Sequence, residues 1–280
     1  MTVYEVARKA TEQLAPRFGA GEAKAMTRII FENLKGWNPV DVAVKSNEEM
    51  TDFMAEKIDG VVARLLADEP IQYIFGNTDF YGLNIKVTPD TLIPRPETAE
   101  LVDLIVRENK GKDLRVLDLC TGSGCIALAL ARNLVFPEVT ATDVSDAALA
   151  VARENDAALH TGVDFIHADI IKGEPAGDQY DIIVSNPPYI ADNERAEMDK
   201  NVLEHEPALA LFVPDDDPLK FYRAILRFAC DALAPGGKIY FEINPLYADN
   251  LKSLADSLGF HDVELIRDSF GKIRFAKIAR

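Results

Sequence analysis

The chain has 280 residues, 48% of them hydrophobic and 27% charged, enough for one large core or for a catalytic domain with a smaller companion, and too apolar for a disordered chain. Its longest uninterrupted apolar run, Cys125 to Ala131, falls well short of the roughly 18 residues a membrane span needs, and no basic-then-apolar leader opens it. The balance of 30 basic against 46 acidic side chains, net −16, repels a phosphate backbone unless a local basic groove overrides it, which disfavours nucleic acid as substrate.

The first 75 positions hold 9 basic and 12 acidic residues, so about −3 of the charge belongs to them and −13 to the rest. Three cysteines, Cys120, Cys125 and Cys230, make no secreted-type framework, and a reducing cytoplasm is the expected location. The histidines His160, His167, His205 and His261 show no metal-ligand spacing, so no metal is expected.

The chain opens in a helical pattern. Thr2 with Glu5 makes a capping-box signature, followed by Val3, Val6, Ala10 and Leu14 at helical spacing. Met26, Ile29 and Ile30 mark a second helix, and Met50, Phe53, Met54, Ile58, Val61 and Leu65 a longer one, punctuated by Gly19, Gly21, Gly36 and Pro39. A small helical bundle is expected over residues 1–72. From Tyr73 to Val87 a β-rich run, with Phe75, Phe80, Leu83, Ile85 and Val87, predicts a hairpin turning at Tyr81-Gly82. This linker ends at residue 96, after Pro89, Pro94 and Pro96, and a helix begins near Glu97.

Beyond about residue 112, strand candidates Arg115–Leu119, Val139–Asp143, Val163–His167, Tyr180–Ser185 and Lys238–Ile243 alternate with helical patterns, as in a mostly parallel sheet covered on both faces. The last two candidates, His261–Ile266 and Ile273–Ala279, leave no room for a crossover helix and predict an antiparallel hairpin.

The first of these strands runs from Val116 through Asp118 into Cys120-Thr121-Gly122-Ser123-Gly124. Glycines there let backbone approach a ligand at the carboxyl end of a strand, where open α/β sheets bind cofactors. Asp143, about 20 residues on, suits two ribose hydroxyls, its other reading being a helix cap that Ser145 or Asp146 can supply instead. Asp169 and Ile170 follow the third strand, where a carboxylate can receive an adenine amino group and an aliphatic side chain can pack on the ring. The glycines do not choose between a nicotinamide dinucleotide and S-adenosylmethionine.

Ser185-Asn186-Pro187-Pro188-Tyr189-Ile190 makes that choice. Two consecutive prolines fix the backbone and lack amide donors, so the carbonyls of Asn186 and Pro187 can serve a cleft as acceptors, with the Asn186 carboxamide as another and Tyr189 as a flat wall. Such a set suits a planar NH2 group. Its nitrogen is a poor nucleophile, and accepting both N–H hydrogens aligns it with an electrophilic sulfonium methyl while stabilising the positive charge that develops. The competing reading is a rigid Pro-Pro turn with a packed tyrosine.

Asn186 to Tyr189 resembles the tetrapeptide of S-adenosylmethionine-dependent amino-group methyltransferases. Together with Glu69 to Gly76, Leu92 to Thr98 and the glycine turn, the sequence resembles the peptide chain release factor glutamine methyltransferase (PrmC or HemK) family over nearly its whole length. The resemblance implies an α/β fold: a Rossmann-like class I methyltransferase sheet with a C-terminal antiparallel hairpin over residues 97–280, plus an N-terminal helical bundle that recognises release factors. It implies methylation of the glutamine amide in the Gly-Gly-Gln loop of class 1 release factors; a cytoplasmic, monomeric enzyme with no direct nucleic-acid substrate is expected. Asp118, Cys120, Thr121, Gly122, Ser123, Gly124, Asp143, Asp169, Ile170 and Asn186 would then hold the cofactor. Asn186, Pro187, Pro188 and Tyr189 would hold the glutamine, with Asn186, Pro187 and Tyr189 as the catalytic set, and Pro94, Arg95 and Thr98 would close the pocket.

Three positions depart from the family's common pattern: Cys120 and Asn244 stand where glycine is usual, and Ile170 where an aromatic is. Arg95 stays open between a pocket residue and a surface ion-pair partner, and Glu242 between a substrate contact and a solvated strand-end acid. Asp215-Asp216-Asp217 reads as a charge-favoured helix start, Cys125 and Cys230 as core packing, and His205 as a surface residue rather than part of the substrate entrance. Two other functions compete: an adenine amino-group methyltransferase on DNA or RNA, which needs a basic track this acidic chain does not show, and a release-factor-binding module without turnover.

Overall fold

A computed structural model describes residues 1–173 and 179–280, which divide into two compact units. The first, Met1–Gly76 with Lys200–His205, contains α1 (Val3–Phe18), α2 (Ala20–Lys35), α3 (Pro39–Val44), α4 (Asp52–Leu66) and α5 (Ile71–Phe75). The capping box forms: Glu5 N–H donates to Thr2 Oγ1 at 3.2 Å and Thr2 N–H to Glu5 Oε2 at 2.8 Å, satisfying two otherwise orphaned amides. Val3, Val6, Ala10 and Leu14 of α1 bury against Ile30 and Phe31 of α2 and Ile58, Val62 and Leu65 of α4.

Two local expectations fail here. Tyr73 and Phe75 lie on α5 rather than in a strand, because Pro70 supplies a helix start and Gly76 ends it in the left-handed region at φ +73°. Gly21 sits inside α2 rather than between helices, whose break falls at Gly19.

The second unit opens with β1 (Asn77–Phe80) and β2 (Leu83–Lys86), paired antiparallel. Tyr81 and Gly82 both have positive φ, +51° and +76°, as a two-residue hairpin turn requires. There follow α6 (Pro96–Glu108), β3 (Arg115–Leu119), α7 (Cys125–Asn133), β4 (Glu138–Asp143), α8 (Asp146–Leu159), β5 (Asp164–His167) and β6 (Tyr180–Ser185). After β7 (Ile190–Ala191), the short α9 (Lys200–His205) groups with the helical unit, and the chain returns through α10 (Ala208–Leu211) and β8 (Phe212–Val213). It ends with α11 (Lys220–Ala232), β9 (Leu233–Glu242), α12 (Ala248–Ser257), β10 (Asp262–Arg267) and β11 (Ile273–Ala279).

Among the described residues, the main sheet has seven strands in the order β10-β11-β9-β6-β3-β4-β5. Strands β9, β6, β3, β4 and β5 are parallel, and β11 pairs antiparallel with both β9 and β10, forming the expected C-terminal hairpin. β9 begins at Leu233, five residues earlier than expected from Lys238. Asp215, Asp216 and Asp217 do not start a helix, since α11 begins at Lys220. Asp217 pairs with Arg223 at 2.7 Å, and Asp215 accepts from Asn193 N–H at 2.8 Å. Among the described residues, no helix is long and apolar enough to cross a membrane.

Candidate functional site

Strand register builds the site. Leu119 lies beside Ser185 and Ser185 beside Phe241, so Cys120 and Asn186, the first residues beyond β3 and β6, and Glu242, the last residue of β9, meet at one edge of the sheet. Ser185 Oγ donates to the Leu119 carbonyl at 2.6 Å, and Thr121 N–H to the Thr142 carbonyl at 3.0 Å, binding the ends of β3, β4 and β6 together. A cavity opens at this edge. Its wall includes Cys120, Thr121, Gly122 and Ser123 from the turn, Asp143 from β4, Asp169 and Ile170 after β5, and Asn186 and Pro188 after β6. Pro94, Arg95 and Thr98 complete it from the segment entering α6.

The turn after β3 is left-handed at three points: Cys120 at φ +61°, Gly122 at +56° and Gly124 at +81°. A cysteine therefore occupies a conformation that usually selects glycine. Asp118 is not on the cavity wall. It is fully buried behind the turn, where its Oδ2 accepts from Thr121 Oγ1 at 2.6 Å and Ala127 N–H at 3.2 Å. Burial pushes its carboxyl up to about 7 against those two bonds. Gly124 is also behind the wall, and a Cβ there would stand 3.2 Å from both Ala152 Cβ and Leu128 Cδ1.

Asp143 is partly buried, with Oδ2 accepting from Gly122 N–H at 2.8 Å and Oδ1 from Ser145 N–H at 2.9 Å. Burial raises its carboxyl, opposed by these amides. The cap of α8 is Ser145, whose Oγ accepts from Ala148 N–H at 3.2 Å, so Asp143 is not spent on the helix. Asn155 is a residue the sequence did not single out. From within α8 its Nδ2 donates to the Ser123 carbonyl at 2.9 Å and the Lys86 carbonyl at 3.0 Å, while Oδ1 accepts from Lys86 N–H at 2.7 Å, tying the turn to β2.

At the other end of the cavity, Pro187 is buried behind Asn186 and Pro188, and Tyr189 lies off the wall. The Tyr189 hydroxyl donates to Glu242 Oε1 at 3.0 Å, and burial with that carboxylate holds the phenol well above its usual range. Glu242 is 2% exposed, so neither expectation for it holds: it is absent from the cavity wall and it is not solvated. Its Oε2 accepts from Thr98 Oγ1 at 2.6 Å, and Thr98 Oγ1 lies 3.4 Å from Asn186 Nδ2. Burial raises the Glu242 carboxyl, with Thr98, Tyr189 and Arg274 opposing. The only hint of this in the sequence is its place at the end of a strand.

Arg95 joins both of its open readings: it reaches the cavity wall and pairs with Glu206, but that carboxylate is buried and also accepts from Ile93 N–H at 3.1 Å. Asn244 donates to the Tyr189 carbonyl at 3.2 Å and to Glu194 Oε1 at 2.9 Å, so the side chain present in place of glycine braces the proline segment. Asp169 accepts from Ile171 N–H at 3.0 Å and sits 3.4 Å from Lys172 Nζ. Cys125 is buried yet borders the cavity, and burial pushes its thiol up to about 12, while Cys230 packs against the core of the sheet unit. His205 ends α9, half-buried and off the cavity wall.

Comparison with known proteins places this geometry among relatives. Residues 5–76 match the PrmC N-terminal domain and residues 98–208 the methyltransferase small domain. A release factor glutamine methyltransferase of Bacteroides thetaiotaomicron is 46% identical over 254 residues, covering 90% of this chain and 91% of the relative. One from Flavobacterium psychrophilum is 41% identical over 271 residues, 95% of each chain. Among solved structures, a methyltransferase from Pyrococcus furiosus aligns with a TM-score of 0.54 at 23% identity, covering 77% of this chain and 95% of that one, a likeness of fold alone.

Proposed function

The chain belongs to the release factor glutamine methyltransferase family, and from that premise we propose that it methylates the side-chain amide nitrogen of the Gly-Gly-Gln glutamine in class 1 release factors, at the cavity between the glycine turn and Asn186. The observation that carries this reading is the convergence of Thr121 to Ser123, Asp143 and Asn186 on one cavity. S-adenosylmethionine supplies the electrophilic methyl group.

The residues present suit that cofactor. A Cβ at Gly122 would meet no atom within 4 Å, so the backbone there faces open space, as close approach to a ligand needs. Ser123 Oγ is buried without a hydrogen-bond partner among the described residues, and each Asp143 oxygen, having accepted one backbone amide, keeps a lone pair for a ribose hydroxyl. Asp169 and Ile170 flank the adenine, and Asp118 acts through the turn rather than by contact.

For the acceptor, the Asn186 carboxamide oxygen, on the cavity wall, takes an N–H hydrogen of the substrate amide. That holds the nitrogen in line and offsets the charge that grows on it during transfer. No base is required before transfer, because the extra proton becomes acidic only on the methylated nitrogen. Tyr189 orders the segment through Glu242, and Arg95, held by Glu206, borders the entrance. The helical unit recognises the release factor outside the reacting loop.

Two variants divide these roles. Asn186→Ala lowers transfer at least ~100-fold, the scale of losing one charge-stabilising contact, with cofactor affinity unchanged. Asp143→Ala weakens calorimetric cofactor binding by about 10- to 100-fold, the scale of one to two lost hydrogen bonds. Mass spectrometry of the Gly-Gly-Gln peptide reads the first, with an oligonucleotide offered in parallel; methylation of the oligonucleotide alone, or full turnover by Asn186→Ala, rejects the reading.

A further inference from the structure

We propose that Thr98 and Glu242 are positioning residues that set which end of the Asn186 carboxamide faces the substrate. The inference rests on the reading that Asn186 receives an N–H of the acceptor amide. A carboxamide is nearly symmetrical in shape, yet one end accepts hydrogen bonds and the other donates them. An inverted Asn186 would point N–H groups at the N–H groups of the substrate and repel it, so the site needs a device that holds the amide one way.

A chain of two hydrogen bonds supplies it. As a carboxylate, Glu242 can only accept, so Thr98 donates its single hydroxyl hydrogen to Oε2, 2.6 Å away. With that hydrogen committed, the Thr98 oxygen is an acceptor toward Asn186, and the Asn186 group 3.4 Å from it must be the NH2. Oδ1 is then the end turned from this chain, on a residue that lines the cavity. Glu242 is itself held by the Tyr189 hydroxyl at 3.0 Å, so it does not swing to release Thr98. Both Thr98 and Glu242 are 2% exposed, and water does not compete for the bond between them.

The polarity of the relay follows from proton count alone and dictates the substrate class: a planar NH2 donor fits, and a carbonyl or ether oxygen presented at the same place is rejected. Thr98→Val removes the acceptor while keeping the shape, and Thr98→Ser restores it. Glu242→Gln provides an NH2 that can donate to the Thr98 oxygen, freeing its hydroxyl hydrogen to turn toward Asn186 and invert the amide.

The test compares these three variants and Asn186→Ala on an intact class 1 release factor, recording kcat, KM for the release factor, cofactor affinity and thermal midpoint. Thr98→Val and Glu242→Gln are expected to lose ~100-fold in kcat, the scale of a misplaced or missing reacting contact, with KM and cofactor affinity moving little. Thr98→Ser recovers most of the rate. The proposal falls if Thr98→Val or Glu242→Gln turns over at the wild-type rate while Asn186→Ala is dead. It also falls if Thr98→Ser is as slow as Thr98→Val, which would make the residue a packing element. Turnover by Asn186→Ala at the wild-type rate would instead remove the reading of the acceptor site on which the proposal stands.

Discussion

The two ends of the cavity are built on different principles. The cofactor end is backbone geometry made locally: Cys120, Gly122 and Gly124 all take positive φ within five residues, and Asp143 reinforces the turn by accepting a Gly122 amide. The acceptor end is side-chain chemistry gathered from afar, with Asn186 reaching Thr98 across 88 positions and Thr98 reaching Glu242 across 144. Local backbone geometry tolerates a changed side chain as long as φ is met, as Cys120 shows. A relay of single hydrogens tolerates no change in donor count.

That contrast breaks most visibly at Gly124. Gly124→Ala must hold an L-residue at φ +81° and press its Cβ to 3.2 Å from Ala152 and Leu128. The expected loss is about 2–4 kcal/mol from the sum of left-handed strain and overpacking, read as a lower urea midpoint, with weaker cofactor binding. Stability equal to wild type would show that the turn relaxes and is less rigid than its dihedrals imply.

The acceptor end sharpens through pH. Burial raises the Glu242 carboxyl above its ordinary 4.5, and the other titratable or charged groups facing it are Tyr189, Tyr222, Cys125, Arg274 and Glu97. The relay needs the carboxylate, so kcat falls as pH drops through the folded-state value, giving an acid limb above 4.5. Stability moves oppositely. Between the unfolded and folded values the native state keeps a proton that the unfolded chain has lost, so this group's contribution declines as pH rises through that window. A pH–kcat profile whose acid limb is the same in Glu242→Gln would detach the limb from this residue.

The smallest effect is at Cys120. Replacing it with glycine removes strain at φ +61° worth roughly 1–2 kcal/mol, offset by the roughly 0.5–1 kcal/mol that glycine costs in chain entropy. Cys120→Gly should gain up to about 1.5 kcal/mol in denaturant unfolding and keep its activity. A tenfold fall in turnover would mean the thiol does more than occupy the turn.

Much of this architecture was legible without coordinates. The parallel strands are covered on both faces, so Ile182–Val184 reads as a continuous apolar run and Val116–Leu119 as one interrupted only by Asp118, and the turn after β3 carries its own glycines. The hairpin at Tyr81-Gly82 and the capping box at Thr2 were legible because each is settled by neighbours within four residues. Tyr73 and Phe75 misled because aromatic residues favour strands only weakly, and Pro70 and Gly76, which bound a helical turn, outweighed them.

What the chain determined by itself was every feature whose cause is local: strand and helix identity, the left-handed turn, and the Asn-Pro-Pro-Tyr segment with its acceptor-rich backbone. What tertiary structure alone decided was which distant polar groups share a buried volume. Asp118 went behind the turn, Asn155 onto the Ser123 carbonyl, Glu206 beneath Arg95, and Glu242 between Thr98 and Tyr189. Each is a buried polar group that must find a partner, and which partner it finds depends on strand order and register, which align Leu119, Ser185 and Phe241 only once the sheet has formed.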